Sequence, residues 1–150
     1  MQRKIMPDIV RGQSLTCLRP TASVRDAARL MAQRGLGAVM VTDGDKLVGI
    51  FTERDLAKKV VGADGDPDKL TLAQVMTPNP DTIEADGTAN QALRMMRDHR
   101  YRHLPVVKDG KLVGMVSVRD LYDAVLSELE DEIHERDAFI HGVGYGGPGD

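Results

Sequence analysis

Two short polar stretches contain the residue types that could bind a charged, hydroxylated ligand. Thr52–Asp55 and Ser117–Asp120 each follow an apolar run and precede a helical pattern. The unpaired N–H groups of a helix start favour an anion such as phosphate, and an arginine fork suits phosphate oxygens. A carboxylate supplies acceptor oxygens for the two hydroxyls of a ribose. Each stretch could therefore bind a ribose phosphate.

The same residues also fit a purely structural role. Thr-x-x-Asp and Ser-x-x-Asp are capping-box patterns, which satisfy the backbone of a helix start without any ligand. The two copies match, because each has a glycine three residues upstream and an arginine before the aspartate. This duplication favours a site more than a single copy would. The pattern alone leaves both interpretations open.

The two stretches lie within a longer internal repeat. Thr52 and Ser117 are 65 positions apart, and residues 24–56 align with residues 89–121 at this spacing without a gap. Lys46–Gly49, for example, recurs as Lys111–Gly114. A tandem repeat of this length predicts a fold built from two copies of one unit.

Hydrophobic periodicity and turn residues predict a β-α-β-β-α order in each unit. For the first unit the predicted elements are a strand at 15–18, a helix from Ser23 to Gly35, strands at 38–41 and 47–51, and a helix at 52–61. For the second they are a strand near 81–83, a helix at 88–99, strands at 104–107 and 112–116, and a helix from Ser117. Short helical patterns are also predicted around Ile5–Val10 and at 71–76. Because one three-stranded sheet buries only one face well, the two units should pack together in an α/β (α+β) fold.

The repeat and the segments around it predict the domain bounds. These are 1–62 for the first unit, 63–70 for a linker, 71–126 for the second unit, 127–141 for a helical extension and 142–150 for a flexible tail. The extension continues an apolar stripe beyond the length that one unit needs, through Tyr122, Val125, Leu126, Leu129, Ile133 and Ile140. Such a stripe predicts a homodimer contact. The alternative is that it folds back on its own domain.

Composition and missing motifs exclude several classes of function. A net charge of −3 gives no support to a nucleic-acid or membrane surface. The single Cys17 excludes an internal disulfide, and no signal peptide or membrane-spanning run is present, so a cytoplasmic protein is expected. The sequence contains no nucleophile–base pair, P-loop or dinucleotide-binding fingerprint, so an enzyme is not expected. His134, Asp137 and His141 are poorly spaced for one metal ion, so no metal site is predicted.

The repeated unit resembles a pair of cystathionine-β-synthase-type (CBS) domains. The resemblance rests on Gly-x-x-[Thr/Ser]-x-x-Asp in both copies, on Val75–Pro78 and on His103–Val107, and covers about residues 5–126. It implies a free-standing pair whose two units pack sheet to sheet about a pseudo-twofold axis and leave two clefts between them. In this family, two chains often associate into a disc-like dimer. The implied ligands are adenosine derivatives, namely AMP, ADP, ATP or NAD, with S-adenosylmethionine ranked below these.

The resemblance also implies roles for individual residues. Asp55 and Asp120 would hold ribose hydroxyls, and Thr52 and Ser117 would contact ribose or phosphate. Positive charge beside the phosphates would come from Arg54, Lys58 and Arg119. Backbone groups of the first and second strands would line the adenine slots, at Thr16, Cys17, Leu18, Gly37, Ala38 and Val39 in one unit and at Asp81, Thr82, Ile83, Arg102, His103 and Leu104 in the other.

The two sites should differ. Lys58 and Lys59 correspond to Asp123 and Ala124, and Ile9–Gly12 replaces the usual Met-Thr-Pro start of a unit. The site with Asp55 is therefore expected to take the more highly charged ligand. The function expected overall is a regulatory protein that senses adenine nucleotides and signals to an unidentified effector by conformational change. The alternative is a ligand-free structural or dimerisation module that docks a partner protein.

Overall fold

The protein contains two β-sheets, one in each half of the chain, together with the helices that connect or follow their strands. A computed structural model describes residues 3–10 and 15–139. The predicted tail, together with Ile140 and His141, lies outside the described residues. Within them, no helix combines the length and the apolar character needed to cross a lipid bilayer.

The first half forms a four-stranded sheet in the order β1-β2-β3-β4. β1 and β2 are parallel, and the other two pairings are antiparallel. The elements are β1 (Cys17–Leu18), α1 (Val24–Arg34), β2 (Ala38–Asp43), β3 (Lys46–Thr52), α2 (Glu53–Asp55), which continues as π-helical turns over Leu56–Val61, α3 (Leu72–Val75) and β4 (Thr77–Pro78).

The second half repeats this arrangement with a three-stranded sheet in the order β5-β6-β7. β5 and β6 are parallel, and β6 and β7 are antiparallel. The elements are β5 (Ile83–Glu84), α4 (Ala89–His99), β6 (His103–Lys108), β7 (Lys111–Ser117) and α5 (Val118–Phe139). The predicted β-α-β-β-α order is therefore confirmed in both halves.

The two hairpins have the same register. Val41 pairs with Gly49 in the first half, and Val106 pairs with Gly114 in the second. Each hairpin shifts register immediately after this pair, at a bulge between Val41 and Thr42 or between Val106 and Val107. Because a bulge bends and twists a strand, both sheets bend at the same place. The repeat in the sequence is thus a repeat in backbone geometry.

The N-terminal segment does not form the helical pattern that the sequence suggests. Ile5–Ile9 is an irregular π-type turn, and Met6 within it has extended backbone angles, φ −124° and ψ 137°. Met6 precedes Pro7, and a residue before proline is displaced from the helical region by the proline ring. The segment is instead held by Ile5 N, which donates to Gly87 O at 2.8 Å.

The two hydrophobic cores cross the predicted domain bounds in both directions. Leu72 and Val75, from the segment after the linker, pack in the core of the first half with residues such as Phe51. Ile5 and Val10, from the start of the chain, pack in the core of the second half. Each core therefore includes a short segment that the predicted bounds assign to the other unit.

The apolar stripe of α5 divides between two faces. Leu121 is buried, and Val125 packs against the second core, so this part covers its own domain. The other face exposes four large apolar side chains, those of Tyr122, Leu126, Leu129 and Ile133. Arg3 fixes the helix from the other end of the chain, since its Nη2 lies 3.0 Å from Asp131 Oδ2.

Exchange of segments between the cores predicts that residues near the start of the chain matter for stability. We expect Ile5→Ala to lower the free energy of unfolding by about 2–5 kcal/mol, because it leaves a cavity in a fully buried position. Gln33→Ala, at an exposed site on α1, should change it by less than about 0.5 kcal/mol. Urea unfolding at equilibrium measures both. Equal stabilities for the two variants would show that the segment does not support the core.

Candidate functional site

The junction of β3 and α2 forms a complete capping box. Thr52 N donates to Asp55 Oδ2 at 3.0 Å, and Asp55 N donates to Thr52 Oγ1 at 3.2 Å. Thr52 has extended backbone angles, as an N-cap residue should. The structural role that the sequence left open is therefore present here.

Asp55 has more partners than a cap requires. Its side chain is buried, with 5% of the residue exposed, and it is the one buried charged residue in the described part of the chain. Lys59 Nζ lies 3.1 Å from Asp55 Oδ1, and Thr77 Oγ1 donates to the same oxygen at 3.3 Å. A buried carboxylate is tolerated only when it is paired and hydrogen-bonded. The sequence singled out Lys58, but the residue four positions after Asp55 is the one that reaches it, as helix geometry favours.

A cleft of about 510 Å³ opens in front of this junction. Its volume is in the range of small-molecule and cofactor sites in proteins. Both halves of the chain line it, through Gly37, Ile50, Thr52, Glu53, Arg54, Asp55, Thr77, Asn79, Pro80, Asp81, Tyr101, Arg102 and His103. Any ligand in the cleft would therefore contact both units.

Charged groups of both signs lie around the cleft. Arg54 Nη1 donates to Arg100 O at 2.7 Å, which connects α2 to the end of α4. Arg102 is exposed at the start of β6. Tyr101 Oη donates to Asp81 Oδ2 at 3.0 Å, and burial, followed by this bond, raises the pKa of Tyr101. Tyr101 is therefore a neutral hydrogen-bonding group at neutral pH.

His103 packs closely on the backbone of Gly37. A Cβ atom at position 37 would lie 2.8 Å from His103 Nε2, so any other residue there would force the imidazole to shift. Burial lowers the pKa of His103 below its ordinary value of 6.5. The carboxylates of Glu53 and Asp120 act in the opposite direction, and Arg102 adds to the lowering. Since Glu53 and Asp120 follow different sheets, His103 lies between the two halves.

The cleft brings together some of the residues that the sequence singled out. Seven of them line it, namely Gly37, Thr52, Arg54, Asp55, Asp81, Arg102 and His103. The others are absent from its lining: Thr16, Cys17, Leu18, Ala38, Val39, Lys58, Thr82, Ile83, Leu104, Ser117, Arg119 and Asp120. Of these, Ala38, Val39, Ile83 and Leu104 are buried in the sheets. Cys17 is partly buried, which raises the pKa of its thiol.

Six residues of the cleft had no functional assignment from sequence, namely Ile50, Glu53, Thr77, Asn79, Pro80 and Tyr101. Thr77, Asn79 and Pro80 follow the short helix that the sequence predicts at 71–76. The position of these three results from β4, which pairs with β3 at Ile50 and Gly49. This pairing joins residues far apart in sequence. The only local signal was the Val-Met-Thr-Pro motif, which indicated a family and not a contact.

The second junction has the same cap but a different environment. Ser117 N donates to Asp120 Oδ2 at 2.9 Å, and Asp120 N donates to Ser117 Oγ at 3.2 Å. Asp120 is exposed, whereas Asp55 is buried. The position that corresponds to Lys59 is Ala124, which has no charge to offer. Residues 11–14, which correspond to 76–79, lie outside the described residues.

The position of His103 predicts a pH dependence of stability. Unfolding returns its pKa to about 6.5, so the unfolded chain takes up a proton more readily than the folded chain. The free energy of unfolding should therefore fall as the pH is lowered from about 6.5 through the folded pKa. His103→Gln should lose this part of the dependence, as measured by thermal unfolding at a series of pH values. An NMR titration that places the His103 pKa above 6.5 would contradict the prediction.

Comparison with known proteins agrees with this architecture. The CBS domain family matches the chain twice, over residues 5–62 and 72–127. The CBS domain-containing protein CBSCBSPB2 of Arabidopsis thaliana is 36% identical over 123 residues, which are 81% of this chain but 23% of that protein. A protein with CBS domains from Burkholderia ambifaria has a TM-score of 0.75 and 37% identity, over 78% of this chain and 86% of its own. The CBS domain protein PAE2072 from Pyrobaculum aerophilum, solved in complex with AMP, has a TM-score of 0.67 and 28% identity, over 72% of this chain and 83% of its own. The chain belongs to the CBS domain family and contains a tandem pair of these domains.

Proposed function

We propose that this protein is a regulatory sensor that binds an adenine nucleotide in the cleft between its two units. The observation that carries the proposal is Asp55, a buried carboxylate that lines a cleft shared by both halves. Because the ligand would contact both units, its binding would favour one arrangement of them over another. A ligand shifts such an equilibrium by its difference in affinity for the two arrangements. The role proposed is regulatory and not catalytic.

The lining residues suggest how each part of a nucleotide is bound. Asp55 offers carboxylate oxygens to the ribose hydroxyls. Arg54 and Arg102 stand on opposite units and offer guanidinium forks to phosphate oxygens. Ile50, Pro80 and Tyr101 give the cleft an apolar part that suits a base. The complex of a related CBS protein with AMP supports this class of ligand.

The proposed ligands are AMP, ADP, ATP and NAD, with S-adenosylmethionine ranked below them. Lys59 lies beside Asp55, and Ala124 occupies the equivalent position near Asp120. We therefore propose that the cleft with Asp55 takes the more highly charged ligand. Ser117, Arg119 and Asp120 would serve a second, weaker site. A cytoplasmic location and an effector protein belong to the same proposal.

A thermal-shift panel of these five compounds tests the function. Any compound that binds only the folded chain stabilises it, by about 2.7 kcal/mol at a hundred times its Kd. We expect at least one adenine nucleotide to raise Tm. The double variant Asp55→Asn, Asp120→Asn should lose this shift, because an amide keeps an acceptor for the cap but lacks the second carboxylate oxygen.

The control for this panel is Asp137→Asn, an exposed aspartate on α5 that does not line the cleft. It should respond to nucleotides as the unaltered chain does. A full shift in the double variant would refute the assigned site. If none of the five compounds stabilises the unaltered chain, the alternative of a ligand-free docking module is favoured.

We also propose that two copies of the chain associate through the exposed apolar residues. Val61 on the π-helical turns is 67% exposed, and Leu126 on α5 is 56% exposed. These residues are 65 positions apart, so the repeat places them at equivalent sites on the two units. Tyr122, Leu129 and Ile133 on α5 are likewise exposed, so each half contributes apolar side chains to the proposed interface. A second copy, turned about a twofold axis, would cover it with the same surface.

The charge of α5 predicts that this association strengthens with salt. The helix carries eight acidic residues and two arginines, so two copies would repel each other. Raising the salt from about 0.1 M to about 1 M shortens the Debye length from about 10 Å to about 3 Å, which should increase the dimer fraction in sedimentation velocity. Leu126→Glu should give a monomer, whereas Leu15→Glu, at another exposed leucine, should not. A Leu126→Glu variant that still dimerises would contradict this interface.

A further inference from the structure

The carboxylate of Asp55 already holds a hydroxyl group from a distant part of the chain. Thr77 Oγ1 lies 3.3 Å from Asp55 Oδ1 and 3.4 Å from Asp55 Oδ2, so one hydroxyl is shared by both oxygens. The cap itself uses only Thr52, which is three positions away. Thr77 is 22 positions away and belongs to β4. The contact is therefore additional to what the helix start needs.

The hydrogen bond between Thr77 and Asp55 is one that a ligand could replace. Hydroxyl-to-oxygen bonds are usually about 2.7–2.8 Å long, so both Thr77 distances are long. Thr77 is an exposed residue and lines the cleft. The bonds inside the capping box, by contrast, join atoms fixed by one helix start. Of the partners of Asp55, Thr77 is the hydroxyl that a ligand could replace without unwinding α2.

We propose that Thr77 is an internal competitor of the ligand: its hydroxyl stands where a ribose hydroxyl would bind Asp55, and a nucleotide must displace it. The proposal rests on the function proposed above and adds a regulatory contact to it. A ribose offers two hydroxyls to the same pair of oxygens that now share one. Asp55 thus stays satisfied both with and without ligand, which avoids the cost of an unpaired buried charge.

The location of Thr77 gives its displacement a structural effect. β4 is two residues long and occupies the edge of the first sheet, where Thr77 pairs with Ile50 of β3. It follows α3, which packs in the first core, and leads through Pro80 to β5 of the second sheet. Movement of Thr77 away from Asp55 would therefore act on the chain segment that joins the two units.

Among the described residues, such a competitor is present at the junction of Asp55 and not at that of Asp120. In the repeat, the position that corresponds to Thr77 is Gly12, which has no side chain. Asp120 has Ser117 as its hydrogen-bonding partner among the described residues, and it is exposed. The two aspartates thus differ in what a ligand must displace.

The test compares Thr77→Val, which removes the hydroxyl at nearly constant shape, with Thr77→Ser, which keeps it. Both are made in chains that also carry Asp120→Ala, so that AMP can use only the cleft with Asp55. Isothermal titration calorimetry measures the AMP affinity of each chain. We expect Thr77→Val to bind AMP about 2- to 10-fold more tightly, as loss of one competing hydrogen bond implies. Thr77→Ser should match the Thr77 chain.

Each outcome decides one question. The increase in affinity caused by Thr77→Val should be absent for 2′,3′-dideoxy-AMP, which lacks the competing hydroxyls. An equal increase in affinity for this compound would refute the competition. If AMP binds but Thr77→Val binds it equally or less tightly, Thr77 is not a competitor and the proposed function stands. If AMP binds only to Thr77→Val, the contact is inhibitory. If AMP binds to none of these chains, the competition is refuted for AMP, and the thermal-shift panel of all five compounds decides the proposed function separately. Circular dichroism verifies that each variant is folded.

Discussion

The burial of the Asp55 carboxylate is the constraint from which the architecture of the site follows. A charge removed from water must find donors, and here they come from three separate parts of the chain. Thr52 supplies the helix cap, Lys59 supplies a charge from the next turn, and Thr77 supplies a hydroxyl from β4. One side chain therefore fixes the start of α2 and the place where the linking strand passes. A nucleotide would enter a set of bonds that already connects these elements.

The cores make the two halves interdependent. Leu72 belongs by sequence to the second half but packs in the first core, and Ile5 precedes the first half but packs in the second. The segments at both ends of the first unit are thus anchored in a hydrophobic core. A change at the cleft would act on elements that are anchored in both cores. Movement of either unit would therefore also move the segment that packs in its core, which contains Leu72 in the first unit and Ile5 in the second. This is a physical route for the proposed conformational signal.

The sequence predicted the parts of the fold that depend on local patterns. Ser23 and Thr88 cap their helices, and Gly35 ends α1 in the left-handed conformation, as their residue types suggested. The tandem repeat predicted two equivalent hairpins, and their bulges coincide. These features arise within a few residues or recur by duplication, so one sequence contains enough information for them.

The parts that the sequence missed depend on distant contacts. Thr77 reaches the site because β4 pairs with β3, and no local pattern shows which strand edge a two-residue strand will join. The division of the predicted α5 stripe into Val125, which packs on the second core, and exposed Leu126 likewise depends on where that core lies. The adenine contacts proposed for the strand backbones, at Cys17 or Leu104 for example, remain predictions.

The exchanged segments bear on how this chain could be rearranged. The first core is drawn from residues 18–76, whereas the second core combines residues 5–10 with residues 83–125, on either side of the first. A circularly permuted chain, opened just before β5 and closed by a linker from the end of α5 to Arg3, would join the two parts of the second core and leave the first core continuous. Such a permutant would convert a module nested inside another into two consecutive modules with the same contacts. The natural order of the chain is thus what places the first module inside the second.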